Sequence, residues 1–258
     1  MGEQIMSELR ALLFDVDGTL AETEEVHRVS FNAAFADAGL DWIWSVDMYR
    51  QLLAVTGGKE RILHYLDTYR PEFQRPAALA EFIAGLHQAK TRIYTETVAR
   101  GGVPLRPGVR RLLDLARADG LRLAIATTTT PDNVTALLKA SIAPDAESWF
   151  EVIAAGSMVP RKKPAPDIYF YAMEHMGLRP EACLAFEDSE NGLLSARAAG
   201  LKTIVTVSDY TQGHDFTSAA LLLDHFGEPG QPFQVLSGDA GGATYTDLAL
   251  LQRVHADA

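Results

Sequence analysis

The order of apolar and polar positions divides the chain into stretches of different period. Ala11-Leu12-Leu13-Phe14 is a short unbroken apolar run that stops abruptly at Asp15-Val16-Asp17-Gly18-Thr19, which predicts a buried strand emptying into a polar loop. From Glu22 to about Arg100 the apolar positions recur at helical spacing: Val29, Ala33, Ala36 and Leu40, then Ile62, Leu63 and Leu66, then Phe82, Ile83 and Leu86. No strand-like run interrupts them. Gly101-Gly102-Val103-Pro104 and Pro107-Gly108 then break the pattern.

Beyond these breakers the rhythm becomes strand, loop, helix. Leu112 to Ala118 predicts a helix ended by Gly120, and Leu121 to Ala126 a strand running into Thr127-Thr128-Thr129-Thr130. Glu151 to Ala154 is a short strand, Asp167 to Met176 a helix, and Cys183 to Phe186 a strand ending in Glu187-Asp188-Ser189. Leu193 to Ala199 is a helix closed by Gly200, and Thr203 to Val207 reads as the last strand. The Gly- and Pro-containing stretch 227–243 reads as surface loop. Such alternation predicts an α/β fold, a doubly wound, Rossmann-like parallel sheet. The helical stretch then becomes an all-helical cap domain, 23–100, inserted into a core made of 10–22 and 101–258.

Composition narrows the partners. With 47% apolar and 22% charged residues the chain has the balance of an ordinary globular protein rather than a disordered one. Its net charge of -11 repels phosphate backbones and anionic lipid, so neither nucleic acid nor membrane is an expected partner. A small anionic substrate remains compatible if the site carries its own cations. Cys183 is the only cysteine, which excludes an intrachain disulfide and suits a buried, inert thiol. Met1 to Arg10 holds no apolar run of signal-peptide length and no later stretch has the length of a membrane span, so a cytoplasmic protein is expected, as a monomer.

The polar residues that follow the strands carry the chemistry. Asp15 and Asp17, Thr127, Lys163 and the pair Glu187-Asp188 come after successive predicted strands, and a parallel sheet brings such ends to one edge. Converging carboxylates raise each other's pKa, a divalent cation relieves this, and oxygen-only ligands suit Mg2+. A phosphate ester would complete the charge balance. Asp15 is the candidate nucleophile and Asp17 the candidate acid and then base, with Lys163 and the Thr127 hydroxyl against the phosphate oxygens.

Asp15-Val16-Asp17-Gly18-Thr19-Leu20 resembles the first motif of the haloacid dehalogenase superfamily, and Thr127, Lys163 and Glu187-Asp188 match the three that follow, in order. The resemblance implies an aspartyl-phosphate mechanism, with magnesium held by Asp15, the main-chain carbonyl of Asp17, Asp188 and, directly or through water, Glu187. It also implies phosphate chemistry, because the dehalogenases of that superfamily lack the second aspartate. Ala21-Glu22-Thr23-Glu24-Glu25-Val26-His27, Thr56-Gly57-Gly58-Lys59-Glu60-Arg61, the threonine run with Thr128 and Thr129, and Lys162-Lys163-Pro164-Ala165-Pro166-Asp167 are similar to the CbbY-type group. That group removes phosphate from the sugar phosphate xylulose 1,5-bisphosphate, an inhibitor of the carbon-fixing enzyme of the Calvin cycle.

Substrate choice is expected from the cap. Gly57 and Gly58 offer unhindered amides beside the Lys59 ammonium, a grip for a second phosphate, and Lys90 is a second candidate cation. Glu24 is placed to accept bonds from sugar hydroxyls. His27 either supports Asp17 or simply packs, and Trp42 and Trp44 read as cap core. Two alternatives stay open: a sugar phosphomutase of the β-phosphoglucomutase type, weakened by the absence of lysine at position 130, and a non-catalytic phosphate-binding protein.

Overall fold

The computed structural model describes residues 8–101 and 103–256, so Gly102 of the predicted breaker and 1–7 of the amino-terminal stretch lie outside the described residues. One seven-stranded sheet runs in the order β3-β2-β1-β4-β5-β6-β7. The strands are β1 (Ala11–Phe14), β2 (Arg122–Ala126), β3 (Val152–Ala154), β4 (Cys183–Glu187), β5 (Lys202–Thr206), β6 (Leu221–Leu223) and β7 (Val235–Gly238). β1 lies centrally and pairs in parallel with β2 and β4, with Phe14 opposite both Ile125 and Phe186. The chain order reverses around β1, and the crevice beyond the carboxyl end of such a strand is where open α/β sheets form sites.

Burial on both faces explains the unbroken apolar runs. Leu12, Phe14, Leu123 and Ile125 enter one core cluster, while Ala11, Leu13, Ala124 and Ala126 enter the other. The second face is closed by Ile168, Tyr169, Ala172 and Met173 of a helix over Asp167–Met176. Cys183 is buried on that same face, and burial pushes its thiol up to about 12, which makes it unreactive.

In sequence, β1 is followed by helices α1 (Glu24–Asp37), α2 (Val46–Leu52), α3 (Gly58–Tyr69) and α4 (Leu79–Gly101), all before β2. They enclose an aromatic cluster of Phe31, Phe35, Trp42, Trp44, Tyr49 and Tyr65, with the Phe35 and Trp42 rings edge to face at 5.3 Å. Trp42 and Trp44 are core, as expected from sequence. The helical period is right but its phase in α1 is not: Val29 is 51% exposed, while His27, Phe31, Ala34 and Phe35 face inward. Two phenylalanines bury more area than a valine and small alanines, so they set the inward face.

Two further corrections concern the second half. β5 is not the last strand, since β6 pairs with it in parallel and β7, within the stretch expected to be loop, returns antiparallel beside β6. All four β7 residues are exposed, so no apolar contrast marked them. Glu187 belongs to β4 rather than to the loop after it. No helix among the described residues is long and apolar enough to cross a membrane.

Arg106, just after the helical stretch, ties the sheet's carboxyl edge together. Only 6% exposed, its guanidinium donates to Thr206 O at 3.0 Å, Val207 O at 2.6 Å, Asp224 O at 2.5 Å and Gly18 O, and pairs with Glu22 at 3.1 Å. Replacing it leaves several buried carbonyls without donors. Arg106→Leu is therefore expected to destabilise the fold by roughly 3–5 kcal/mol, read as a lower urea midpoint at unchanged slope. A midpoint like that of the wild type would remove Arg106 from this role.

Candidate active site

Asp15 directly follows β1, and its amide donates to Phe186 O at 2.9 Å, so the first residue past the strand is still held by the sheet. Its carboxylate Oδ1 accepts from Lys163 Nζ at 2.7 Å, and the same ammonium donates to Glu187 Oε1 at 2.6 Å. Tyr169 also donates to Glu187 Oε1, while the buried Oε2 has no hydrogen-bond partner. Asp188, one residue on, accepts from Ser208 Oγ at 2.9 Å. Two glycines make room for these acids: a Cβ at Gly18 would lie 2.0 Å from Asp188 Oδ2, and one at Gly192 would lie 1.9 Å from Glu187 Oε2.

Asp15, Glu187 and Asp188 are all buried and bring a carboxylate oxygen each to within 4.8 Å of one another. Burial, and then the neighbouring acids against the pull of Lys163, raises Asp15 to about 7. Burial with Asp15 and Glu187 raises Asp188 well above the carboxylate range. Burial opposes charge on Lys163, yet Asp15 and Glu187 outweigh it and hold the ammonium protonated. The ammonium thus pairs with two of the three acids and leaves Asp188 without a cation among the described residues. A buried oxygen-only donor set with one orphaned carboxylate oxygen suits a hard divalent cation.

Asp17 faces a different environment. Its Oδ1 accepts from Thr23 Oγ1 at 2.5 Å and meets His27 Nε2 at 2.9 Å, and His27 Nδ1 lies 2.6 Å from Lys90 Nζ. The His27 ring stacks on Tyr94 with centroids 4.1 Å apart. Burial would raise the Asp17 carboxyl, but His27 and Thr23 hold it well below the usual carboxylate range. Burial brings Lys90 down to about 8. His27 therefore both packs and supports Asp17.

The candidate site residues, Glu187 excepted, line one pocket. Asp15, Asp17, Thr127, Lys163 and Asp188 line one part of it, and Glu24, Gly57, Gly58, Lys59, Lys90, Thr128 and Thr129 complete the set. Glu187 lies behind, wholly buried. Thr127 is 1% exposed, and Thr130 caps the next helix by accepting from Asn133 N at 3.4 Å, which fixes the threonine run. Gly57, at φ +98°, starts α3 beside the pocket, a conformation that favours glycine. Glu24 accepts from Tyr49 OH at 2.8 Å, and Lys90 is engaged with His27. Sequence reasoning gave no role to Arg61, His87, Asn133 or Asn191, which also line the pocket. The residue type of Arg61, one turn into a helix that starts at Gly58, was a usable signal. His87 gave none, because its position depends on how α4 packs against α3.

Residues 9–200 match the family model for haloacid dehalogenase-like hydrolases. The chain is 58% identical to Protein CbbY of Rhodobacter capsulatus over 82% of its length and 91% of the relative's. It is 48% identical to the plasmid-borne Protein CbbY of Cupriavidus necator over 96% and 97% of the two lengths. A crystal structure of a CbbY mutant from Rhodobacter sphaeroides in complex with xylulose-(1,5)bisphosphate superposes with a TM-score of 0.81 at 45% identity, covering 95% of this chain and 99% of that one. Strand order, the position of the acids after β1 and β4, and these similarities agree that this chain belongs to the haloacid dehalogenase-like hydrolases.

Proposed function

We propose that the chain is a magnesium-dependent phosphatase acting on a small sugar bisphosphate, xylulose 1,5-bisphosphate, through a phosphorylated Asp15. The observation that carries this reading is a single pocket holding two kinds of chemistry. Asp15, Asp17, Thr127 and Lys163 supply a nucleophile, an acid/base and two donors, while Gly57, Gly58, Lys59, Arg61 and Lys162 supply amides and cations for a second anion. Similarity to a protein solved with xylulose-(1,5)bisphosphate supports the choice of substrate.

In this mechanism a carboxylate oxygen of Asp15 attacks phosphorus, the ester bond to the sugar oxygen breaks, and Asp17 gives that oxygen its proton. Water then attacks the acyl phosphate, passes a proton back to Asp17, and frees phosphate and Asp15. Lys163 neutralises one Asp15 oxygen and the incoming phosphate, and the Thr127 hydroxyl donates to a phosphate oxygen. Magnesium, held by Asp15, Asp188, the carbonyl of Asp17 and, directly or through water, Glu187, would supply positive charge against the phosphate oxygens. Held ionised by His27 and Thr23, Asp17 suits the base half of the cycle. The acid half needs it protonated, so those contacts loosen as phosphate enters. The stretch 23–100 serves as the cap that encloses the substrate.

Three measurements test the proposal. With magnesium, the protein is expected to release one phosphate per xylulose 1,5-bisphosphate, faster than from ribulose 1,5-bisphosphate or glucose 1,6-bisphosphate; an isomerised bisphosphate or monophosphate instead would make it a mutase. Lys59→Ala is expected to lower kcat/KM for the bisphosphate by roughly tenfold to a hundredfold and for a minimal aryl phosphate by much less, since a charge-assisted contact to the remote phosphate is lost. Equal losses remove Lys59 from the site.

The third concerns the metal. Asp15 is raised from an ordinary 3.8 to about 7, so without a cation its contribution to stability is full below about pH 4 and is lost as pH rises through about 7. Magnesium needs the ionised acids and is expected to raise Tm more at pH 8 than at pH 6. Equal gains at both pH values, or none, would contradict the metal assignment.

A further inference from the structure

One side chain of the pocket has no part in the mechanism above. His87 is half-buried on α4, lines the pocket, and its ring nitrogens have no hydrogen-bond partner among the described residues. It sits one helical turn before Lys90, whose contact with His27 leads to Asp17. Its other side faces the start of α3, where a Cβ at Gly58 would lie 2.5 Å from His87 Cδ2 and 2.6 Å from Nε2. The imidazole therefore stands between the residues that reach the reacting carboxylates and those that offer a grip to a second anion.

Its charged neighbours are Lys59 and Glu60 from α3, Lys90 from α4 and Lys162 from the loop before Lys163. Glu60 is already paired with Lys162 Nζ at 2.7 and 2.8 Å. Burial, reinforced by the three lysines, lowers His87 to about 3, so the ring is neutral throughout the working pH range. This sets it apart from the cations around it. Lysine and arginine only donate, whereas a neutral imidazole donates from one nitrogen and accepts at the other. A hydroxyl, which also does both, is the group such a ring recognises in a wall of cations that select phosphate.

We infer that His87 is a specificity-determining residue that hydrogen-bonds a sugar hydroxyl lying between the two phosphates of the substrate. The inference rests on the bisphosphate reading of the pocket. Its chemistry predicts discrimination by hydroxyl configuration, because inverting the hydroxyl leaves the ring without its partner.

The test compares kcat/KM for xylulose 1,5-bisphosphate, for ribulose 1,5-bisphosphate, which inverts one hydroxyl, and for an aryl phosphate. Wild type, His87→Ala, His87→Leu and His87→Gln are measured at pH 6 and pH 8, with thermal melting as the control for folding. His87→Ala is expected to lose roughly tenfold for the preferred bisphosphate, to lose less for the aryl phosphate, and to shrink the ratio between the two epimers. The loss should be the same at both pH values, and His87→Gln, whose amide donates and accepts, should recover most of it. His87→Leu, closer in volume, replaces the alanine variant if that one does not fold. An unchanged epimer ratio, equal losses for bisphosphate and aryl phosphate, or a glutamine variant no better than alanine overturns the inference while leaving the substrate reading intact. Absence of bisphosphate turnover in the wild type overturns both.

Discussion

Three buried carboxylates meet beside a single ammonium, and the rest of the site depends on that imbalance. Asp15, Glu187 and Asp188 lie within 4.8 Å of one another at the carboxyl edge of the sheet, and Lys163 pairs with the first two. Desolvation raises Asp15 and Asp188 far above an ordinary aspartate, so the acids are costly to ionise unless positive charge arrives. Their close approach in turn requires glycine at 18 and 192, a tyrosine hydroxyl on Glu187 and a serine hydroxyl on Asp188. Arg106 anchors the main chain at Gly18, Thr206 and Val207, so the loop after β1 and the end of β5 cannot drift apart under the repulsion. In the proposed mechanism the same lack of positive charge suits the cluster to a cation and a phosphate together.

The helical stretch is bonded to residues of the pocket on both sides. Through Lys90 and His27 it reaches Asp17, and through Glu60 and Lys162 it bonds to the loop that carries Lys163. Asn191 Nδ2 adds a bond to Thr56 Oγ1 at 3.0 Å. Binding energy gained against α3 and α4 is thereby connected, by direct contact, to the residues that set the protonation of Asp17. For a phosphatase whose core machinery suits many esters, such contacts let remote parts of a substrate affect the reacting centre.

Much of this was legible in the chain because buried parallel strands need contiguous apolar residues and leave polar ones at their ends. Ala11 to Phe14 and Cys183 to Phe186 announced themselves in that way, and Asp15, Asp17, Thr127, Lys163 and Asp188 fell where the sheet edge required. Local pattern failed where tertiary contacts decide. β7 exposes every side chain and carries no period, and the inward face of α1 was set by Phe31 and Phe35 rather than by Val29. Arg106 looked like one more polar residue among breakers, and Tyr169 like one more apolar helix position. Their roles exist only once strands distant in sequence place carbonyls and Glu187 beside them.

The central claim is that Asp15 bears the phosphoryl group. Acid-quenching the wild-type protein during turnover of xylulose 1,5-bisphosphate with magnesium, reducing the acyl phosphate with borohydride and mapping peptides by mass tests it most directly. The account predicts that Asp15, and no other residue, is converted to the reduced product, and that the conversion requires both substrate and magnesium. Modification at another residue, or an unmodified Asp15 peptide while phosphate is being released, would contradict it.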